Sequence, residues 1–188
     1  MGSSYQTVLA VGELEDVRAA VAGCGQRAVI MPMGERRWAV VPEGDGVYAE
    51  TDGLATRLKL AATFSLFDSD VLVAMLFRDG AAYHEYLSDQ SQLMEAWDDD
   101  DNEIWFDMLG RPYPPGATPP SGAYGADPVA FVPLGLGPVD EAELASALAG
   151  PERDAGEQHH AIVHALNFED ARPLTMKYAD AVASGRGV

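Results

Sequence analysis

Seven consecutive apolar residues, Val71-Leu72-Val73-Ala74-Met75-Leu76-Phe77, stand between the turn formers Asp68-Ser69-Asp70 and the tripeptide Arg78-Asp79-Gly80. A half-exposed strand alternates apolar and polar residues, and a helix needs a longer run. The segment is therefore predicted to be a central strand buried on both faces. Asp-Gly is a strong hairpin signal because both turn positions accept a positive φ. The alternating stretch Ala81-Ala82-Tyr83-His84-Glu85-Tyr86-Leu87 is then the partner strand.

The rest of the first half fits around this hairpin. Residues 5–11 combine β-branched and aromatic residues and end at Gly12, which predicts a first strand. Leu14, Val17, Ala20 and Val21 fall at helical spacing, with acids in the first turn where the helix dipole favours them. Gly23-Cys24-Gly25 ends that helix. Residues 28–33 form a second strand, which Pro32 places at an edge or terminates. The turn Gly34-Glu35 leads to a third strand over 37–41, and Pro42 to Asp45 is a loop. Thr51 or Asp52 caps a helix running to about Phe64, with Leu54, Leu58 and Ala61 or Ala62 as its apolar face. The predicted order is β-α-β-β-α-β-β. The fold class is α+β, a mixed or antiparallel sheet with helices packed on one face, in a ferredoxin-like or related split arrangement.

From about Ser88 the character changes. A short helix is predicted over 90–97, through Leu93, Met94 and Trp97, followed by the acidic run 98–103. Residues 110–128 are rich in Pro and Gly and hold little regular structure, with Tyr113 and Tyr124 as anchors. A brief strand over 130–132, helices over 140–148 and 157–168, and a loose tail over 178–188 complete the reading. The chain is one α+β domain: a sheet-forming core over 1–89, an irregular segment over 90–138, and C-terminal helices over 139–170.

Charge narrows the function. Thirty acidic residues stand against 12 Lys and Arg, a formal net charge of -18 with a pI of about 4.3. A phosphate backbone or an anionic membrane surface is repelled, so neither nucleic acid nor membrane is an expected partner; a basic protein or a divalent cation is attracted. Hydrophobic residues make up 47% of the chain, enough for a packed core. The single Cys24 excludes an internal disulfide framework. No secretory signal pattern and no membrane-length apolar window is visible, so the expected location is the cytoplasm.

Motifs for chemistry are sparse. The run Asp98-Asp99-Asp100-Asp101-Asn102-Glu103 lacks the glycine and the closing glutamate of a calcium loop, so no metal is assigned to it. His160 and His164 share a helix face beside His159. Ala161 follows His160 where a metalloprotease helix carries Glu, which leaves an exposed helix face as the better reading. Cys24 sits at a helix C-terminus, the wrong pole for a nucleophilic thiolate. Tyr83, His84, Glu85 and Tyr86 alternate, 84 and 86 facing one side and 83 and 85 the other. No nucleophile elbow or phosphate loop exists, and no cofactor is implied.

The stretch over 68–89 combines an acidic turn, an apolar strand, a turn with Gly80 and a strand closing on Tyr86-Leu87-Ser88-Asp89. It resembles a pattern in a family of uncharacterised bacterial proteins. The match covers little more than one hairpin, and Ala81-Ala82-Tyr83-His84 stands where more polar residues are usual. The resemblance implies a shared domain and carries over no catalytic residue.

These observations favour a non-enzymatic binding protein with a basic protein partner. One version neutralises a basic toxin or nuclease, since an acidic surface speeds and orients such association. The expected contact residues are Glu95, Trp97, Asp98, Asp99, Asp100, Asp101, Glu103, Trp105 and Asp107, which include no Lys or Arg and place aromatic anchors on either side of the run. The alternative is a small hydrolase or metal-dependent enzyme, which requires the acidic run or His160 and His164 to converge with Asp68, Asp70 or His84 in a cleft.

Overall fold

The computed structural model describes residues 2–44, 51–150 and 154–188. Asp45, expected in the loop after the third strand, lies outside them. Strand β1 (Tyr5–Val11) leads to helix α1 (Leu14–Cys24), capped by Gly25 at φ 66. The hairpin β2 (Ala28–Gly34) and β3 (Arg37–Pro42) follows, then helix α2 (Thr51–Ala55) and three consecutive strands, β4 (Leu60–Phe67), β5 (Val71–Arg78) and β6 (Ala81–Leu87). They form one antiparallel sheet in the order β2-β3-β1-β4-β5-β6. The fold is α+β, as expected.

Strand β5 is internal, between β4 and β6, and Leu72 and Leu76 are fully buried. Asp79 and Gly80 both take positive φ, 50 and 84, as the tight β5–β6 turn demands. Pro32 sits in the edge strand β2, where its missing N–H costs no ladder bond.

Strand β4 corrects the expected helix through Phe64. The helical spacing of Leu54 and Leu58 stops with α2 and the turn after it. From Leu60 the period is two: Ala62, Phe64 and Leu66 enter one core, and Ala61 faces the other. Phe64, Leu66 and Thr63 fit a pleated, buried surface better than a short helix.

The helices, expected on one face, divide between both. Helices α1 and α2 cover Val8, Ala10, Val40 and Phe77. The opposite face carries the larger core, where Leu9, Phe64, Leu72 and Tyr86 meet the C-terminal helices. A central strand that is apolar on both sides requires cover on both. The covering elements are α3 (Pro128–Phe131), where a brief strand was expected, then α4 (Glu141–Leu148), α5 (Ala155–Ala165) and α6 (Tyr178–Ala183). Asp127, Asp140 and Asp154 cap the first three through their carboxylates. In place of a loose tail, α6 buries Ala181, and the Val188 N–H donates to the Ile30 carbonyl of β2 at 2.9 Å.

A bulge in β6 corrects the strict alternation expected at 83–86. The register slips between Leu76 and Phe77 opposite Tyr83, so Tyr83 packs on the same core as Tyr86. Tyr83 donates to the Ala130 carbonyl at 2.8 Å and Tyr86 to the Leu148 carbonyl at 3.0 Å.

Residues 93–113 form a second, smaller antiparallel sheet in place of a helix and a loop. Its strands are β7 (Leu93–Trp97), β8 (Glu103–Asp107) and β9 (Pro112–Tyr113), in that order. Met108 and Leu109, in the β8–β9 turn, pack with Phe67 against Val71, Val73 and Leu87, joining the small sheet to the large one.

Candidate interaction surface

Antiparallel pairing decides what the small sheet presents. Glu95 of β7 lies opposite Trp105 of β8, and Trp97 lies opposite Glu103. Opposed residues share a face, so one side of the hairpin carries two Trp–Glu pairs in succession, with Tyr113 beyond Trp105. Alternate residues along a strand are roughly 7 Å apart, which sets the spacing of the two pairs. Trp97 is 62% exposed. Beside Trp105 opens a groove of ≈ 380 Å³ lined by Leu93, Glu103, Trp105, Pro114, Gly116 and Ala117. On the other face Met94 is 46% exposed.

The acids of the run divide into two kinds. Asp99, Asp100, Asp101, Glu95 and Glu103 are exposed. Asp98 is half-buried and builds the turn: its carboxylate accepts from the Asp100 and Asn102 N–H groups and from the Asn102 side-chain amide at 3.0 Å. The bonds from Asn102 hold the Asp98 carboxyl below the usual carboxylate range. Asp101 takes a left-handed φ of 60, which Asp tolerates better than most residues. Asp107, expected on this surface, is buried instead. It accepts from the Leu109 and Arg111 N–H groups and from Arg111 Nε at 2.6 Å, and Arg111 in turn stacks over the Tyr124 ring at 3.7 Å. Asp107 and Tyr124 hold the base of the small sheet together. A helix prediction for 90–97 hid the Trp–Glu pairing; the alternation of Leu93, Glu95 and Trp97 with Met94 and Ala96 was the available signal.

His160 and His164 lie exposed on α5, and His159 is wholly buried between Tyr5 and Phe64. Among the described residues no three His, Cys, Asp or Glu side chains are placed to hold a metal ion. His84 binds the Gly125 carbonyl at 2.7 Å across the edge of β6. Cys24 donates weakly to the Gly53 carbonyl.

A trough of ≈ 540 Å³ on the large sheet, bounded by Asp52, Met108 and Leu109, was not anticipated. Gln6, Thr63, Ser65 and Glu85 line its floor where neighbouring positions are apolar. Partial desolvation pushes the Asp52 carboxyl above its ordinary range, against the opposing influence of the Thr63 side chain. The polar positions Thr63 and Ser65 in β4 were its trace in the sequence.

Comparison with protein-family models, with curated proteins and with solved structures finds no match to this chain. Among the described residues, no helix is long and apolar enough to cross a membrane.

Proposed function

We propose that the protein is a binding protein whose small sheet takes a basic segment of another protein. The observation that supports this most is the pair of Trp–Glu couples on one exposed face. A Lys or Arg side chain placed there meets an aromatic face and a carboxylate together, the two groups that recognise a cation with an apolar stem. The spacing of roughly 7 Å suits alternate side chains of an extended segment. Strand β7 is an edge of its sheet, so such a segment has a backbone ladder to join. Asp99, Asp100 and Asp101 at the tip add a field that steers a basic partner inward.

The test compares proteins retained from native lysate by the wild type and by a Trp97→Ala, Trp105→Ala variant. The reading requires a basic protein held by the former, lost from the latter, and displaced by salt. Identical retained sets would refute it.

A further inference from the structure

The end of the large sheet remote from the hairpin has an unusual concentration of cations. Arg37, Val11, Leu60 and Arg78 lie in one row across β3, β1, β4 and β5, through their pairing registers. Lys59 precedes Leu60, and Arg57 lies in the turn after α2. Four of the chain's 12 Lys and Arg, namely Arg36, Arg37, Arg57 and Lys59, line one cleft of ≈ 550 Å³ between this row and α1. Its other walls include the accessible Val11, Ala19 and Leu60 and the buried Val17, Ala20 and Leu58.

The cations of the cleft are neutralised to different degrees. Arg18, Arg27, Arg111 and Arg186 each hold a carboxylate within ion-pair distance, and within the cleft Arg36 Nε binds Glu13 at 2.8 Å. Arg57 and Lys59, like Arg78, Arg172 and Lys177 elsewhere, have no such partner among the described residues; what sets them apart is that they share one concavity. Arg37 is pinned instead by neutral oxygens, donating from Nε to the Leu134 carbonyl and from Nη2 to the Gly135 carbonyl, both at 2.8 Å. Its donors are committed while its charge is not cancelled. Burial, with repulsion from Arg36, lowers its pKa against the opposing pull of Glu35. Among the described residues the one carboxylate lining the cleft is Asp16. Gly23 makes room for this arrangement: a Cβ there would stand 3.0 Å from Arg57 Nη1, so the guanidinium lies against the last turn of α1.

In a chain with 30 acids, Arg57 and Lys59, without a carboxylate partner among the described residues, and the carbonyl-held Arg37, gathered in one concavity, need a reason. We propose that this cleft binds a small organic anion, its phosphate or carboxylate head on Arg57 and Lys59 and its apolar body on the accessible aliphatic wall of Val11, Ala19 and Leu60. Arg37, fixed by its carbonyls, contributes field to the head and no hydrogen bonds. The cleft is larger than a lone inorganic anion needs, and its walls are partly aliphatic, which selects a ligand with both parts. Guanidinium and ammonium groups gathered beside low-dielectric walls attract an anion at short range although the molecule as a whole is negative. The site is remote from the hairpin and does not depend on its role.

The test is a titration of the isotope-labelled protein, followed through backbone amide shifts, with phenyl phosphate, benzoate and neutral benzyl alcohol in parallel. Phenyl phosphate is expected to move the amides of Val11, Gly12, Ala20, Leu58 and Leu60 together. Benzoate should move the same set if a carboxylate head also suffices, and relative affinity assigns the preferred head. An Arg57→Gln, Lys59→Gln variant should bind about tenfold more weakly or worse. An Arg172→Gln control, outside the cleft, should bind as the wild type does. The amide spectrum itself reports whether each variant is folded, and Lys59→Gln alone replaces the double variant if that one is not. Equal shifts with benzyl alcohol, shifts scattered over the surface, no shifts with either anion, or unchanged affinity in the folded variant would each overturn the proposal.

Discussion

At the scale of single residues, burial separates side chains that look alike in the sequence. His159, His160 and His164 read as one group, yet only His159 is enclosed. Its Nδ1 shares a 2.7 Å hydrogen bond with the Tyr5 hydroxyl, and its Nε2 is buried without a partner among the described residues. Burial first, and nearby His160 second, push its pKa down to about 3. An unfolded chain protonates this group near pH 6.5 and the folded one does not. Above that pH the linkage is silent. As pH falls below it the unfolded state alone gains a proton, and stability drops by about 1.4 kcal/mol per pH unit. Between pH 7 and 5.5, urea denaturation should show the wild type losing about 1 kcal/mol more than His159→Gln; equal losses would contradict a neutral buried histidine. The acids divide in the same way. Asp107→Ala should cost about 2–3 kcal/mol, less than a fully enclosed pair because Arg111 keeps some water contact. Trp97→Ala, at an exposed site, should stay within about 0.5 kcal/mol of wild type in the same measurement. A larger loss in Trp97→Ala would place that ring in the fold and remove it from the surface.

At the scale of elements, what was legible followed from periodicity with nothing competing against it. The run at 71–77 has no polar residue to suggest another role, and it is β5, central and buried. Leu72→Ala or Leu76→Ala should each cost about 2–5 kcal/mol, read by denaturation, because the enclosing layers on each face cannot collapse into the cavity; a cost near zero would mean the strand is loosely packed. The α1 and α4 helices were legible through their apolar spacing and acidic first turns. Strand β4 was not, because Leu54, Leu58, Ala61 and Ala62 also fit a helix, and alanine carries too little preference to arbitrate. The short β7 was lost for the same reason, and with it the Trp–Glu pairing that makes the candidate surface. Pairing partners are set by tertiary register, which no local window contains. The bulge at Tyr83 and the return of the chain end to β2 are likewise products of assembly. The anionic-ligand cleft draws its cations from the β2–β3 turn, from the first residue of β3 and from the connection between α2 and β4, so no motif announces it.

At the scale of the whole molecule, the net charge of -18 is unevenly placed. The acidic hairpin is attached through Val71, Val73 and Leu87, near the start of β5, whereas the cleft lies by the row that ends β5 at Arg78. The two ends of the large sheet therefore present opposite chemistry: aromatic rings with carboxylates at one, a cleft lined by guanidinium and ammonium groups at the other. Self-repulsion among the exposed acids opposes folding slightly, and a basic partner relieves it. Because the exposed acids act at long range and the tryptophans at contact, salt should slow association while leaving much of the slow dissociation intact. The most direct test of the central claim is the association rate of a captured basic partner, at low salt, with the wild type and with an Asp99→Asn, Asp100→Asn, Asp101→Asn variant. Asp98 is left in place because it builds the turn. The account predicts slower association for the variant, with the difference shrinking as salt is added and dissociation little changed. Equal association rates at low salt would contradict the hairpin as the surface that draws the partner in.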